Sequence, residues 1–236
     1  MHRLGFDEAD ILRLMAILKE NPQLYVASVF SHFAASEDPT EDTFTKKQAE
    51  TFQRVCDLME SQLGYSFMKH IANSAGISRF KEYHFNCVRL GLGLYGYSGV
   101  PEDQNHLQNT VTLKSIITQL KNVKKDETIG YNRTFVAKND MKIAIVPIGY
   151  ADGFPKELSN GIGSMIVLGK KCPVVGKICM DMSMIDVTGL DVHEEDEVII
   201  YNDENNLHLI SLAIHKSPYE LLTAISKRAQ RIYIRD

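Results

Sequence analysis

Tyr150 stands where an apolar run, residues 143–148, gives way to Gly-Tyr-Ala-Asp-Gly. A phenol delivered to the end of a strand can pack, or it can carry a proton. Its ordinary pKa of about 10 makes it a poor base near neutrality unless positive groups favour the phenolate. Other stretches hold groups of similar interest. Arg89 lies inside the apolar VRLGLGLYG, residues 88–96. A guanidinium cannot shed its charge, so it needs a carboxylate, a ring nitrogen to which it donates, or solvent at a strand end. Gly91 and Gly93 beside it allow close backbone approach to a ligand. In HIANSAG, residues 70–76, Asn73 and Ser74 follow a short strand. Small polar side chains and backbone N–H groups there can hold a phosphate, or form a plain turn. His32 stands next to the end of the run LYVASVFSHF, residues 24–33, as a catalytic or a structural imidazole. Met180 and Asp181 sit between two strands in GKICMDMSMIDV, where backbone N–H groups can meet a carboxylate and methionines can fill a core. Tyr219, in SPYELLTAIS, falls in the first turn of a helix and can cover the core.

These groups need elements to position them. Residues 1–98 alternate helical and strand patterns. Residues 7–21 carry Ile11, Leu12, Met15 and Leu18 at helical spacing, with Asp7 as a possible cap. Residues 42–62 form a long amphipathic helix. Strands are expected at 24–33, 67–72 and 87–95. Such alternation predicts βα units with parallel strands. Three strands are fewer than the eight of a closed barrel. After a polar, proline-containing linker, residues 99–109, the pattern becomes mainly β. Strands are expected at 111–120, 133–137, 141–148, 164–168, 171–175, 182–187, 197–201 and 231–234. A hairpin turn is expected at residues 168–171, and helices at 207–215 and 219–228, the second opened by Pro218. The third segment is thus a mainly antiparallel β domain over 110–236.

Composition narrows the function classes. A formal charge of −4 gives no basic face for nucleic acid. No apolar run reaches membrane-spanning length, and the first residues carry no signal-peptide pattern. Cys56, Cys87, Cys172 and Cys179 lack metal or disulfide spacing, which predicts a reduced, cytoplasmic setting and no metal site.

The motifs HRLGF, SHF, HIANSAG, VRLGLGLYG, VPIGYADGF, VGKICMDM and PYELLTAIS occur in an order and spacing that resembles bacterial alanine racemase, over residues 1–235. The resemblance implies a pyridoxal 5′-phosphate enzyme interconverting L- and D-alanine for peptidoglycan. It implies a (β/α)8 cofactor barrel followed by a β domain, in a homodimer whose sites are shared between subunits. Tyr150 then resembles the catalytic acid/base, and Arg89 the donor to the pyridine nitrogen. His32 resembles the histidine against the cofactor ring. Ser74, Gly91 and Leu92 resemble the phosphate cradle, with Asn73 beside it, and Tyr219 the tyrosine that reaches the phosphate. Arg3, Met180 and Asp181 resemble the substrate-carboxylate contacts.

The resemblance also places the Schiff-base lysine, which is the second base, upstream of HRLGF, together with a carboxylated lysine. Lys19, Lys46, Lys47 and Lys69 stand in other contexts. The expectation is therefore the C-terminal half of the enzyme: residues 1–98 as an incomplete half-barrel that lacks its N-terminal partner half and its cofactor lysine, inactive alone. A chain following a cell-wall ligase is one form this could take. A racemase for another amino acid such as serine, and a non-catalytic docking or dimerisation module, are the competing readings.

Overall fold

The computed structural model describes residues 1–203 and 205–234, so Glu204 and the last two residues of the expected 110–236 domain lie outside the described residues. The chain divides into two units, Met1–Gln108 and Asn109–Asp236.

In the first unit, α1 (Ile11–Glu20) packs on α2 (Asp42–Leu63), as their apolar spacing dictates. Ile11 and Met15 of α1 join Ala49, Phe52, Cys56 and Met59 of α2 in one buried cluster with Phe33, Phe67, Ile71 and Phe80. Gly64 ends α2 in the left-handed region (φ 75°), its N–H bonded to Glu60 O at 2.9 Å. Strands β1 (Ser28–Phe30) and β2 (Met68–His70) pair in parallel, with Phe30 opposite His70. The run 24–33 is thus mostly not strand.

HIANSAG continues into a helix, α3 (Ser74–Arg79), which the turn reading had not anticipated. Asn73 caps it: its Oδ1 accepts Gly76 N–H at 2.9 Å and the Ser36 hydroxyl at 2.8 Å.

The third strand expected at 87–95 does not form. Arg89 N–H reaches Ala72 O at 3.0 Å, but Gly91 (φ −122°, ψ −92°) then breaks the extended path, and Leu92–Tyr95 coils into a 3₁₀ turn. The expected half-barrel is accordingly not confirmed, because the parallel ladder among the described residues has two strands. A one-turn helix, α4 (Pro101–Gln104), interrupts residues 99–109.

The second unit is built on antiparallel pairing. Its strands are β3 (Leu113–Ile116), β4 (Gln119–Val123), β5 (Thr128–Ile129), β6 (Phe135–Val136), β7 (Met141–Val146), β8 (Ser164–Val167), β9 (Lys170–Pro173), β10 (Ser183–Asp186) and β11 (Glu197–Tyr201). They form sheets ordered β10-β7-β4 and β3-β11-β8-β9, with β5-β6 as a separate hairpin. The single strand expected at 111–120 is divided. Ile117 N–H bonds to Asp196 O and Thr118 N–H to Ile145 O, so the chain changes sheets between these two residues. The β8–β9 hairpin closes through Leu168 (φ 49°) and Gly169 (φ 71°), both in the left-handed region a two-residue turn requires. Helices α5 (Leu207–Ala213) and α6 (Pro218–Ala224) follow, α6 capped by the Ser217 hydroxyl on Glu220 N–H. The strand expected at 231–234 makes no ladder among the described residues. Among the described residues no helix is long and apolar enough to cross a membrane.

Candidate functional site

In the first unit the chemistry gathers where β1 and β2 end. Arg89 reaches across both strand ends. One terminal nitrogen donates to Ser31 O at 2.6 Å, Ile71 O at 3.4 Å and His32 Nδ1 at 3.2 Å. The other donates to His70 O at 3.3 Å and to His70 Nδ1. All its partners are carbonyls and imidazoles; no carboxylate pairs with it among the described residues. Every one of these bonds uses a terminal nitrogen, so Nε–H remains as a further donor. Phe30 lies against both groups, stacked on His70 with ring centroids 5.3 Å apart and 5.4 Å from the guanidinium carbon.

An arginine can only donate, so His32 and His70 must accept through unprotonated Nδ1. Their environment enforces this. Burial first, then the Arg89 charge, holds both imidazoles below their ordinary pKa; Arg3 adds to the effect on His32, and Glu37 opposes it. Arg3 is exposed at the start of the chain but near enough for its charge to be felt by His32 and Arg89.

Beside Arg89 the 3₁₀ turn meets α3. Ser74 Oγ accepts Gly91 N–H at 3.0 Å and Gly93 N–H at 3.4 Å, so three small groups converge on one point. The Gly93 position tolerates no side chain without adjustment, since a Cβ would lie 2.7 Å from Leu90 Cδ1. Leu92, expected beside Gly91 in the cradle, begins the 3₁₀ turn between these two glycines. Asn73 is engaged in capping α3.

In the second unit Tyr150 opens a 3₁₀ turn (Tyr150–Asp152) directly after β7. Its N–H donates to Cys179 O at 3.1 Å and Ala151 N–H to Met180 O at 2.8 Å, which lays the turn on the 179–181 bend. Gly149 is what permits the approach: a Cβ would stand 2.4 Å from Cys179 O and from Met180 O. The Ser183 hydroxyl, buried, ties the same region to Ile148 O at 2.7 Å. Tyr150 is 42% exposed, and Lys156 Nζ sits 5.1 Å from its ring centroid. Met180 and Asp181 are exposed on the bend. Burial and the Asp181 charge raise the Cys179 thiol above its ordinary value, so it stays protonated. Tyr219 lies in the first turn of α6, partly exposed.

The structure thus brings His32, Ser74, Arg89 and Gly91 together, and separately joins the Tyr150 turn to Met180 and Asp181. Sequence reasoning missed His70, although it opens the quoted HIANSAG at a strand end like that of His32. It also missed Phe30, Lys156 and the turn-holding role of Gly149. Lys69 is directed at α2, bonding Glu60 at 2.9 Å with Asp57 at 3.6 Å, and Lys19 donates to Gln62. Among the described residues no group of three or more His, Cys, Asp or Glu is placed to hold a metal.

A fold with a βα unit, a capped helix beside an arginine–histidine pair, and a β unit presenting a tyrosine on a glycine turn matches one family on both sides. The model of the alanine racemase N-terminal domain matches residues 1–99, and that of the alanine racemase C-terminal domain residues 110–233. The chain belongs to the alanine racemase family, and its match is not confined to the C-terminal portion expected from the motifs.

Among its relatives, alanine racemase 1 of Oceanobacillus iheyensis is 37% identical over 249 residues, covering 99% of this chain and 64% of its own length. Alanine racemase of Clostridium tetani is also 37% identical, over 100% of this chain and 63% of its own. The crystal structure of alanine racemase from Bartonella henselae with covalently bound pyridoxal phosphate superposes with a TM-score of 0.86 at 31% identity, over 99% of this chain and 64% of that one. The Bacillus anthracis enzyme with bound L-Ala-P gives 0.89 at 31% identity, over 100% of this chain and 62% of that one. The chain therefore spans somewhat less than two thirds of the length of these relatives. None of those named here is described as a ligase, so the expected ligase association finds no support in them.

Proposed function

We propose that the protein serves the pyridoxal phosphate-dependent interconversion of L- and D-alanine, with Tyr150 as one proton carrier. The observation that carries this reading is the setting of Arg89. A half-buried guanidinium, held by two neutral imidazoles and backbone carbonyls, keeps Nε–H for an acceptor that must not be protonated. A pyridine nitrogen is such an acceptor, and an arginine opposite it disfavours the protonated ring. The residues present fit the cofactor, since the Ser74 hydroxyl with the Gly91 and Gly93 N–H groups forms a cradle suited to a phosphate. When bound, pyridoxal phosphate supplies an electron sink for charge at the substrate α-carbon.

The chain's own groups do the rest. Arg89 orients the ring nitrogen, and His32 and His70 hold Arg89. Tyr150 exchanges a proton at the α-carbon through its phenolic oxygen, and Lys156 keeps positive charge over its ring. Arg3 and the backbone of Met180 and Asp181 meet the substrate carboxylate, and Tyr219 helps hold the phosphate. On the family resemblance, the two clusters belong to sites shared between protomers of a homodimer. The second base and the cofactor lysine come from the N-terminal barrel portion of the enzyme. The product D-alanine would feed peptidoglycan synthesis in the cytoplasm.

The test is D-alanine formation from L-alanine, followed with D-amino-acid oxidase. The protein is supplied with pyridoxal phosphate, alone and with the N-terminal portion of the Oceanobacillus relative. Turnover that Tyr150→Phe abolishes from the L side supports the reading. Near-normal L-to-D turnover in that variant refutes it, and faster turnover of L-serine reassigns the substrate.

A further inference from the structure

The Tyr150 turn is fastened on two sides. One side is the 179–181 bend, reached through backbone bonds. The other is the segment after α6, and there the fastening runs through one carboxylate. Asp152 Oδ2 accepts Gly149 N–H at 3.0 Å, inside the turn. Its Oδ1 receives Arg228 at 2.7 Å. Its carbonyl accepts Ser226 N–H at 3.0 Å, and Arg228 N–H in turn bonds Ser226 Oγ at 3.2 Å. Gly153 lets the two segments cross. It holds φ 95°, and a Cβ there would lie 2.2 Å from Ala224 O. The Asp152 side chain is only 16% exposed, so its charge sits where a partner matters more than it would in open water.

The consequence follows from what these segments carry. The 150–152 turn presents Tyr150, and the 224–228 segment is the exit of α6, whose first turn holds Tyr219. One carboxylate therefore touches both the turn of one tyrosine and the end of the element that bears the other. We propose that Asp152, with Arg228 as its partner, is a positioning residue that keeps Tyr150 and Tyr219 in register, and so governs proton transfer rather than substrate affinity. This rests on the reading of Tyr150 as a proton carrier. A turn cap alone would need only the bond to Gly149; the ion pair and the Ser226 contact are what extend it to α6.

Four variants separate these roles. Asp152→Asn keeps an oxygen for Gly149 N–H and removes the charge that faces Arg228. Asp152→Ala removes both. Arg228→Gln breaks the pair from the other side, and Arg228→Lys retains its charge. Amide hydrogen exchange of Gly149 and Ser226 is measured by NMR in the full chain. Ser226 is expected to exchange about threefold faster in Asp152→Asn and Arg228→Gln, as for a partly exposed ion pair, with Gly149 unchanged. In Asp152→Ala both should speed up, by roughly tenfold, as a hydrogen bond is also lost. In the alanine assay Asp152→Asn and Arg228→Gln should lower kcat about threefold at unchanged KM, with Arg228→Lys retaining most of the wild-type value.

Wild-type exchange at Ser226 in Asp152→Asn and Arg228→Gln would overturn the link. Altered exchange with unchanged kcat would overturn the positioning role and leave a structural tie. The Tyr150→Phe assay fails separately if the proton-carrier reading is wrong, because the exchange measurement needs neither cofactor nor turnover.

Discussion

The Arg89 cluster and the Tyr150 turn secure their key groups by opposite means. Arg89 is held through its own side chain, by carbonyls and imidazoles at two strand ends. Its environment also sets the protonation of its neighbours. Tyr150 is held through its backbone, by bonds to Cys179 and by a glycine that admits a second chain segment at van der Waals limits. Its side chain remains partly exposed, with one lysine over the ring. In the first region burial decides chemical state. In the second, backbone geometry decides position and leaves the side chain available.

That contrast can be broken by substitution. The largest effect is expected from Gly149→Ala, whose methyl must displace the 179–181 bend. It should destabilise the protein by about 3 kcal/mol, at the upper end of overpacking costs, measured by urea unfolding with circular dichroism. The first region should be more sensitive to side-chain chemistry. Arg89→Lys keeps the charge but cannot span Ser31, His32 and His70 together. A loss of about 2 kcal/mol is expected, from charge-assisted bonds left unmade, with weakened binding of pyridoxal phosphate read by its absorbance on the protein.

A smaller and pH-dependent effect tests the imidazoles. His32 and His70 have folded pKa values below the ordinary 6.5. Between those values and 6.5 the unfolded chain binds more protons than the folded one, so acid favours unfolding. Their contribution is fully present above about pH 6.5 and is lost as pH falls through the lowered values. Urea midpoints between pH 7 and 5 should fall less in a His32→Gln, His70→Gln variant than in the wild type; an equal fall would remove the neutral-imidazole account. The smallest effect is expected from Lys156→Met, which removes a partly exposed cation–π contact. It should cost about 0.5 kcal/mol of stability. Loss of the upfield ring-current shift on residue 156 side-chain protons in Tyr150→Leu would verify the wild-type contact by NMR.

Much of this was legible in the amino-acid order because it is local. The helical spacing of Ile11 and Met15, the Pro218 start of α6 and the Leu168–Gly169 hairpin each depend on near neighbours, and each formed. Arg89 in an apolar stretch announced a need for partners. What was misread depends on pairing across distance. Residues 87–95 have strand composition, yet Gly91 turns them into the wall of the Ser74 cradle. Residues 111–120 read as one strand, but two partners far along the chain divide them.

The sequence by itself determined most of the helices and strands, the two-part organisation of the motifs and the residue kinds able to move a proton or hold an anion. Those properties follow from side-chain chemistry and short-range periodicity. Only the tertiary structure decided that His70 shares Arg89 with His32, that Gly93 joins Gly91 on Ser74, and that Asp152 reaches Arg228. These contacts join residues as much as 76 positions apart in number order, as Asp152 and Arg228 are. No local pattern encodes them, because they exist only once burial and backbone pairing have brought distant segments to the same point.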